Sequence, residues 1–169
     1  MKLNGEAATP AGSSATVPDD FSSGSPSGNV RLSRKWKKGD TIELNLDVHP
    51  RLMEANPLVE EAKNEIAVMR GPIVYCLEGQ DVDGNHRIND IAIPADVKFT
   101  ETKVTIEGHE MIALEADVPL VNQGAWRNDE LYRELHPVKN QKVHIRLIPY
   151  YAWDNRGVQD MSLWLPLAR

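Results

Sequence analysis

Residues 41–48 read TIELNLDV and carry the clearest strand pattern of the chain. Apolar side chains at positions 42, 44, 46 and 48 alternate with polar ones, so one face of the segment is apolar and the other is polar. This alternation predicts a half-buried β-strand, because successive side chains of a strand point to opposite faces. Residues 30–36 alternate in the same way, and the KKGD segment at 37–40 has the chemistry of a turn. The two runs are therefore predicted to form a hairpin.

Short apolar or alternating runs continue through the rest of the chain. The segment IVYCL at 73–77 is apolar on both faces, which is typical of a central strand covered from two sides. No long run has the 3.6-residue period of helices that would cover a parallel sheet, which disfavours an α/β fold. About ten short strands with turn signals every 8–12 residues or so predict an all-β fold, an antiparallel and jelly-roll-like β-sandwich. The further runs lie at residues 51–55, 65–70, 88–93, 97–100, 103–107, 110–116, 141–148 and 159–165.

Residues 7–28 differ from the rest of the chain in composition. They read AATPAGSSATVPDDFSSGSPSG and consist almost entirely of small, polar or turn-forming residues. Such a segment buries too little apolar surface to offset the entropy lost on ordering it. We predict two parts: residues 1–29, a short N-terminal piece with a flexible Ser/Gly/Pro-rich loop or linker, and residues 30–169, a β-sandwich domain.

Composition excludes several classes of protein. The 169 residues carry a formal net charge of −6, so a general affinity for nucleic acid has no electrostatic basis. No apolar run approaches the roughly 18 residues of a membrane span, and the first residues lack the apolar stretch of a signal peptide. We therefore expect neither a nucleic-acid nor a membrane partner, and the compartment stays open.

Cys76 is the first candidate for chemistry, and it is the single cysteine of the chain. A nucleophilic cysteine needs a depressed pKa and access to substrate. Cys76 lies instead in the middle of an apolar run, so we expect it to be buried and inert. The five histidines show no metal-ligand spacing. We therefore predict no catalytic residue and no metal ligand.

Aromatic residues offer a second kind of site. Trp126 and Tyr132 lie in an irregular stretch, where such rings can form a platform that stacks against a sugar. Hydrophobic plugs beneath a long loop explain the same two residues. Trp36, Trp153 and Trp164 lie on or beside predicted strands, so we expect them to pack in the core.

Three blocks of sequence carry a family resemblance: RKWKKGD at 34–40, VMRGPIVYCLE at 68–78 and IPYYAWDNRG at 148–157. Together they resemble the C-terminal β-sandwich region of the β-L-arabinofuranosidase family of glycoside hydrolases, family 127. The resemblance implies that the chemistry belongs to a separate α/α barrel, where a zinc-bound cysteine thiolate is the nucleophile. Cys76 matches a strand of the sandwich and not that nucleophile. We therefore expect no cofactor in this chain, with the zinc site in a catalytic domain that this sequence does not contain.

The resemblance also implies a role. We expect a bacterial protein of carbohydrate metabolism in which this chain is non-catalytic and acts structurally, by packing on the catalytic barrel and supporting oligomerisation. The expected partners are that barrel, a second copy of the chain and an arabinose-containing glycan. Two alternatives stay open: a carbohydrate-binding module that stacks sugars on Trp126 and Tyr132, and a hydrolase with an unrecognised site.

Overall fold

A computed structural model describes residues 2–7, 35–46, 48–121, 129–134 and 141–168. The chain divides into two compact units, Met1–Asp47 and Val48–Arg169. The predicted boundary between residues 29 and 30, and nearly all of the predicted linker, lie outside the described residues. The division into 1–29 and 30–169 therefore stays a prediction.

The first unit contains a small antiparallel sheet of β1 (Lys2–Leu3), β2 (Glu6–Ala7) and β3 (Ile42–Glu43), in the order β2-β1-β3. Asn4, in the turn after β1, connects distant parts of this unit. Its Oδ1 accepts a hydrogen bond from the Thr41 amide, and its Nδ2 donates to Oδ1 of Asp40, both at 2.9 Å. The side chain of a turn residue thus fixes the start of β3.

The predicted strand over residues 41–48 is wrong beyond Glu43. Residues 44–46 have no regular secondary structure, and the side chains of Leu44 and Leu46 are exposed. In the described part of the predicted partner, residues 35 and 36, there is no strand, and β3 pairs with β1 instead. A strand needs a neighbour that satisfies its backbone hydrogen bonds, and β1 is only two residues long. The alternation identified an amphipathic segment but not its neighbour.

The described residues of the second unit form nine strands, which are β4 (Pro50–Glu54), β5 (Glu65–Arg70), β6 (Ile73–Val82), β7 (Ile93–Pro94), β8 (Thr100–Ile106), β9 (His109–Pro119), β10 (Lys142–Pro149), β11 (Met161–Ser162) and β12 (Leu165–Ala168). The central path of the sheet runs in the order β7-β12-β5-β6-β10-β9-β8, with β4 also paired to β5 and β11 to β6. Every pairing is antiparallel except that of β7 with β12, so the sheet is mixed. The all-β prediction is confirmed.

Both faces of the sheet centre are buried. Tyr75 and Leu77 of β6 belong to a large apolar cluster, whereas Cys76 between them belongs to a smaller cluster on the opposite face. β10 divides in the same way, with Leu147 in the large cluster and Ile148 in the small one. The prediction of a central strand at 73–77 is thereby confirmed. The small cluster also contains Ile106, Met111 and Ala152.

Short 3₁₀ turns connect the strands at Glu60–Ala62, Asp83–Asn85, Ile88–Asp90 and Tyr150–Ala152. The predicted strand at 88–93 is therefore wrong in its first half. The Asp90 carboxylate accepts hydrogen bonds from the Arg87 amide at 3.0 Å and from its guanidinium at 2.9 Å, which closes this turn. In the part of the chain that the structure covers, no helix is long and apolar enough to cross a membrane.

Candidate functional site

The outstanding chemical feature of the second unit is a set of buried charges at the end of β6. Glu78 has no solvent-exposed surface, and Asp81 is 8% exposed. Both follow the apolar run IVYCL on the most central strand. Burying a carboxylate is costly unless it is paired, so their partners decide what these groups can do.

A β-bulge brings the two carboxylates to one place. In a regular strand, residues 78 and 81 would point to opposite faces, because their separation is odd. Between the paired residues Leu147–Leu77 and Ile145–Val82, however, the register advances two positions along β10 and five along β6. The extra residues of β6 form an irregular bulge, which re-aims side chains as bulges do.

Residues after β10 cover this bulge. The amide of Gly79 donates to the carbonyl of Asp160 at 2.8 Å, and the amide of Gln80 donates to Oε1 of Gln159 at 2.9 Å. The backbone groups that β10 leaves unpaired are therefore satisfied by the segment that leads into β11. This segment carries Arg156 to the two carboxylates.

Arg156 forms ion pairs with both carboxylates. Its Nη2 lies 2.5 Å from Oε2 of Glu78, and its guanidinium binds Asp81 in a bidentate manner, with Nη1 donating to Oδ1 at 3.0 Å and Nη2 to Oδ2. Burial would lower the pKa of Arg156, but hydrogen bonds and the charges of Asp81 and Glu78 outweigh it and raise that pKa. The guanidinium is therefore charged at neutral pH.

Neutral groups complete the shell around Glu78. Its Oε1 accepts from the Asp154 amide at 3.2 Å, and its Oε2 accepts from the side-chain amide of Gln80 at 2.9 Å and from that of Gln159 at 3.4 Å. Nε of Arg156 is buried without a hydrogen-bond partner among the described residues. One cation thus engages both carboxylates of the cluster.

Cys76 lies two residues before Glu78 on the same strand and is fully buried, as expected. Burial, and next the charge of Glu78, raise the pKa of its thiol to about 12. The thiolate is the nucleophilic and metal-binding form of cysteine. At neutral pH the thiol therefore stays protonated and is out of contact with solvent.

The surroundings of Cys76 do not fit a zinc ion. A structural or catalytic zinc site needs three or four nitrogen, sulfur or carboxylate ligands. Within the described ranges, no group of three or more His, Cys, Asp or Glu residues is arranged to hold a metal. The neighbours Glu78 and Asp81 are already bound by Arg156. The expectation that the family's zinc belongs to another domain stays a prediction.

The structure describes only one of the two residues of the predicted sugar platform. Tyr132 is 90% exposed, but Trp126 lies outside the described residues, so the pairing of the two rings stays a prediction.

The expectation of core packing is wrong for Trp36 and Trp153, which are exposed. Trp153 instead stacks on Tyr150, with ring centroids 5.9 Å apart and an interplanar angle of 8°.

Sequence reasoning missed the Arg156 cluster. Its signals were two acidic residues at the end of an otherwise apolar strand and an arginine in the block IPYYAWDNRG. Acidic residues at positions 78 and 81 of a regular strand point apart. Their meeting depends on the bulge, which alternation does not reveal.

Comparison with known proteins gives a consistent result. The model of the glycoside hydrolase family 127 C-terminal domain matches residues 50–166. The non-reducing end β-L-arabinofuranosidase of Bifidobacterium longum subsp. longum is 34% identical over 133 residues, which are 75% of this chain and 20% of that enzyme. 

Solved structures agree with this match. One glycoside hydrolase is 40% identical with a TM-score of 0.82, and the match covers 99% of this chain and 25% of the other. A family 127 β-L-arabinofuranosidase from Geobacillus stearothermophilus T6 is 31% identical with a TM-score of 0.79, over 99% of this chain and 24% of the other. The chain thus spans a fifth to a quarter of the length of these relatives.

Proposed function

The chain belongs to the glycoside hydrolase family 127 C-terminal domain family, and from this premise we propose that it is a non-catalytic support domain of a β-L-arabinofuranosidase-like hydrolase. Its substrate-cleaving groups reside in another part of the enzyme, and this domain stabilises that part by packing against it. The relatives are four to five times as long as the region they share with this chain, which leaves ample length for a separate catalytic domain.

The observation that carries the non-catalytic assignment is the environment of Cys76 and its neighbours. A thiol with a pKa of about 12 and no solvent-exposed surface is neither ionised nor accessible to a sugar. The carboxylates on the same strand, Glu78 and Asp81, are bound by Arg156. Retaining and inverting glycosidases need two carboxyl groups on either side of the glycosidic bond, and this pair is closed off by the guanidinium.

The packing role is supported by an apolar surface of the first unit. Ile42, Leu44 and Leu46 are 52%, 60% and 65% exposed. Large aliphatic side chains exposed in one short segment are typical of surfaces that contact another protein domain. We propose that the catalytic domain covers this surface, and that two copies of the isolated chain associate through it.

The test is an assay of the purified chain with an aryl β-L-arabinofuranoside, with and without added zinc. The Bifidobacterium relative serves as the positive control. We expect release of the aryl group at the rate of the buffer blank. Turnover that disappears in the Cys76→Ala variant would overturn the proposal, because it would make this thiol the nucleophile. Turnover that survives the substitution would point to the unrecognised site of the alternative hypothesis.

A further inference from the structure

A groove on the second unit has features of a ligand site. It has a volume of about 540 Å³ and lies between the β8–β9 hairpin and the turn after β10. Pockets of this size accommodate small organic ligands. Its walls include Glu107, His109 and Glu110 from the hairpin, and Tyr151 and Asn155 from the turn.

Tyr151 lies in a turn that contacts this groove, and the residues that follow it fix the turn in place. Ala152, the next residue, is buried in the small core cluster. The side-chain amide of Asn155 donates to the carbonyl of Ala152 at 3.2 Å, which closes the turn. Tyr151 is nevertheless 66% exposed. A turn closed by a hydrogen bond and anchored at Ala152 therefore carries an aromatic ring that is open to solvent.

The neighbouring aromatic residues are arranged differently. Tyr150 and Trp153 stack on each other, so each ring covers one face of the other. Tyr151 is not part of this stack and is more exposed than either. The face of an aromatic ring carries partial negative charge, and it attracts C–H groups that carry partial positive charge. The C–H groups of a sugar ring are of this kind.

The charge of the groove excludes one class of ligand. Two carboxylates and an imidazole line it, and none of the described lining residues is lysine or arginine. A phosphate or a uronic acid would meet the two carboxylates without a lysine or arginine to compensate the like charge. Carboxylates accept hydrogen bonds from hydroxyl groups and have no proton of their own to donate when ionised. The groove therefore suits a neutral ligand that is rich in hydroxyl groups.

We propose that this groove binds a sugar residue of a neutral arabinose-containing glycan, with Tyr151 stacking on the ring and Glu107 and Glu110 accepting hydrogen bonds from its hydroxyl groups. The choice of arabinose rests on the proposed function, whereas the stacking and the preference for a neutral ligand follow from the groove. Such a site holds the domain close to a polymeric substrate while cleavage takes place elsewhere.

The experiment titrates the ¹⁵N-labelled full chain with a linear arabinofuranose trisaccharide and follows amide shifts by NMR. Saturable shifts confined to the hairpin around residues 106–111 and to residues 151–155 are expected. A galacturonic acid trisaccharide of similar size should cause no saturable shift, because it is anionic. Trilysine tests the other ligand class that carboxylates attract. Binding of trilysine without binding of the arabinose trisaccharide would overturn the proposal.

Four variants locate the interaction. Tyr151→Ala should weaken binding about tenfold or more, and Tyr151→Phe should retain it to within about twofold, because stacking needs the ring and not the hydroxyl. Glu110→Gln should weaken binding by a smaller factor. Tyr132→Ala removes the exposed tyrosine of the alternative platform, and under this proposal it should leave binding unchanged. If Tyr132→Ala abolishes binding and Tyr151→Ala does not, the sugar binds at the alternative platform and this proposal is wrong.

The failure of this inference is distinct from that of the proposed function. The absence of binding removes the groove as a sugar site and leaves the support role intact. Cleavage of the trisaccharide during the titration, detected as free arabinose, would instead overturn the non-catalytic assignment whether or not Tyr151 contributes to binding.

Discussion

Arg156 is the residue that allows the central strand β6 to keep two carboxylates buried. Glu78 and Asp81 are carboxylates on the central strand of the sheet, in positions where water cannot solvate them. One guanidinium approaches both, and the amide groups of Gln80 and Gln159 contact the same carboxylate oxygen of Glu78. Removing the cation would leave two buried negative charges side by side.

The substitution Arg156→Met is therefore expected to destabilise the chain by about 3–5 kcal/mol, the usual cost of leaving buried charges unpaired. Urea unfolding at pH 7, followed by circular dichroism, measures this loss. Arg146→Met is the matched control, since Arg146 pairs with Glu115 across two strands but is 42% exposed. Its loss should cost about 1 kcal/mol or less. Equal effects of the two substitutions would contradict the role assigned to Arg156.

Cys76 makes stability depend on alkaline pH. Its pKa is about 12 in the folded chain against an ordinary value of 9.0. Above pH 9 the unfolded chain releases the thiol proton while the folded chain keeps it, so the unfolded state binds fewer protons and stability falls as pH rises towards 12. We expect the free energy of unfolding to decline less steeply above pH 9 in Cys76→Ala than in the wild type. Burial also raises the pKa of Tyr75, but that residue is present in both chains.

The same residue gives a simpler measurement. At pH 8 the native thiol should resist a thiol-reactive reagent, because it is buried and protonated. In urea it should react at the rate of a free cysteine. Fast labelling of the native chain would show that Cys76 is accessible and would weaken the non-catalytic assignment.

Turn geometry explains how the hairpins of the second unit are connected. Gly71 and Pro72 join β5 to β6, with Arg70 paired to Ile73, and Gly71 has φ of +55°. Glu107 and Gly108 join β8 to β9, with Ile106 paired to His109, and both have positive φ. Two-residue hairpin turns require such backbone angles. The two turns differ in their surroundings, because a Cβ at Gly71 would lie 2.9 Å from Cγ1 of Val48, whereas one at Gly108 would meet nothing within 4 Å.

Alanine substitutions at Gly108 and Gly71 separate the cost of a left-handed backbone from the cost of crowding a neighbouring side chain. Gly108→Ala should cost about 1–2 kcal/mol for the left-handed backbone alone. Gly71→Ala should cost about 1–3 kcal/mol more, because the new methyl group is forced against Val48. Thermal or urea unfolding of both variants provides the comparison. Equal losses would show that Val48 moves aside without cost.

Predictions of individual elements succeeded where the sequence pattern and the pairing agreed. β5, β9 and β10 were predicted close to their observed bounds, because their side chains are buried on a sheet whose neighbours lie next in the chain or nearby. β6 was predicted from the correct first residue, but it continues to Val82, beyond its predicted end at Glu78. The segment after Glu43 failed since amphipathicity does not supply a neighbour, and the segment 88–90 failed since the Asp90 carboxylate closes a turn there. The pattern of apolar and polar residues along the chain does not reveal which segments pair or which side chain closes a turn.

For the candidate site, too, the sequence predicted local properties but not contacts between distant residues. Burial of Cys76 followed from the apolar residues beside it, which is a local property. The meeting of Glu78, Asp81 and Arg156 depends on a bulge in β6 and on a segment that returns more than seventy residues later. No short window of sequence includes both, so neither the ion cluster nor the groove beside Tyr151 was predicted.

At the scale of the whole molecule, the two units differ in how well they bury their apolar residues. The second has large and small core clusters on opposite faces of its sheet. In the first, Ile42, Leu44 and Leu46 are all more than half exposed. Uncovered apolar surface of this kind favours association with another protein surface.

We expect the isolated chain to self-associate in a concentration-dependent manner. The double variant Leu44→Lys, Leu46→Lys should shift it towards monomer in sedimentation velocity. Leu58→Lys is the control, because Leu58 is 88% exposed but belongs to the second unit. A wild-type chain that stays monomeric at high concentration would contradict this expectation.

The distance in sequence between Arg156 and its two acids has a consequence for synthesis. While a ribosome extends the chain, β5 and the apolar part of β6 emerge early and have each other to pair with. Glu78 and Asp81 emerge beside them, but their cation follows 78 and 75 residues later. Until then the bulge has no guanidinium to pair with its two carboxylates, and closing the sheet centre around them is costly. We therefore expect the sheet centre to close only after Arg156 has been added, when most of its strands have been made.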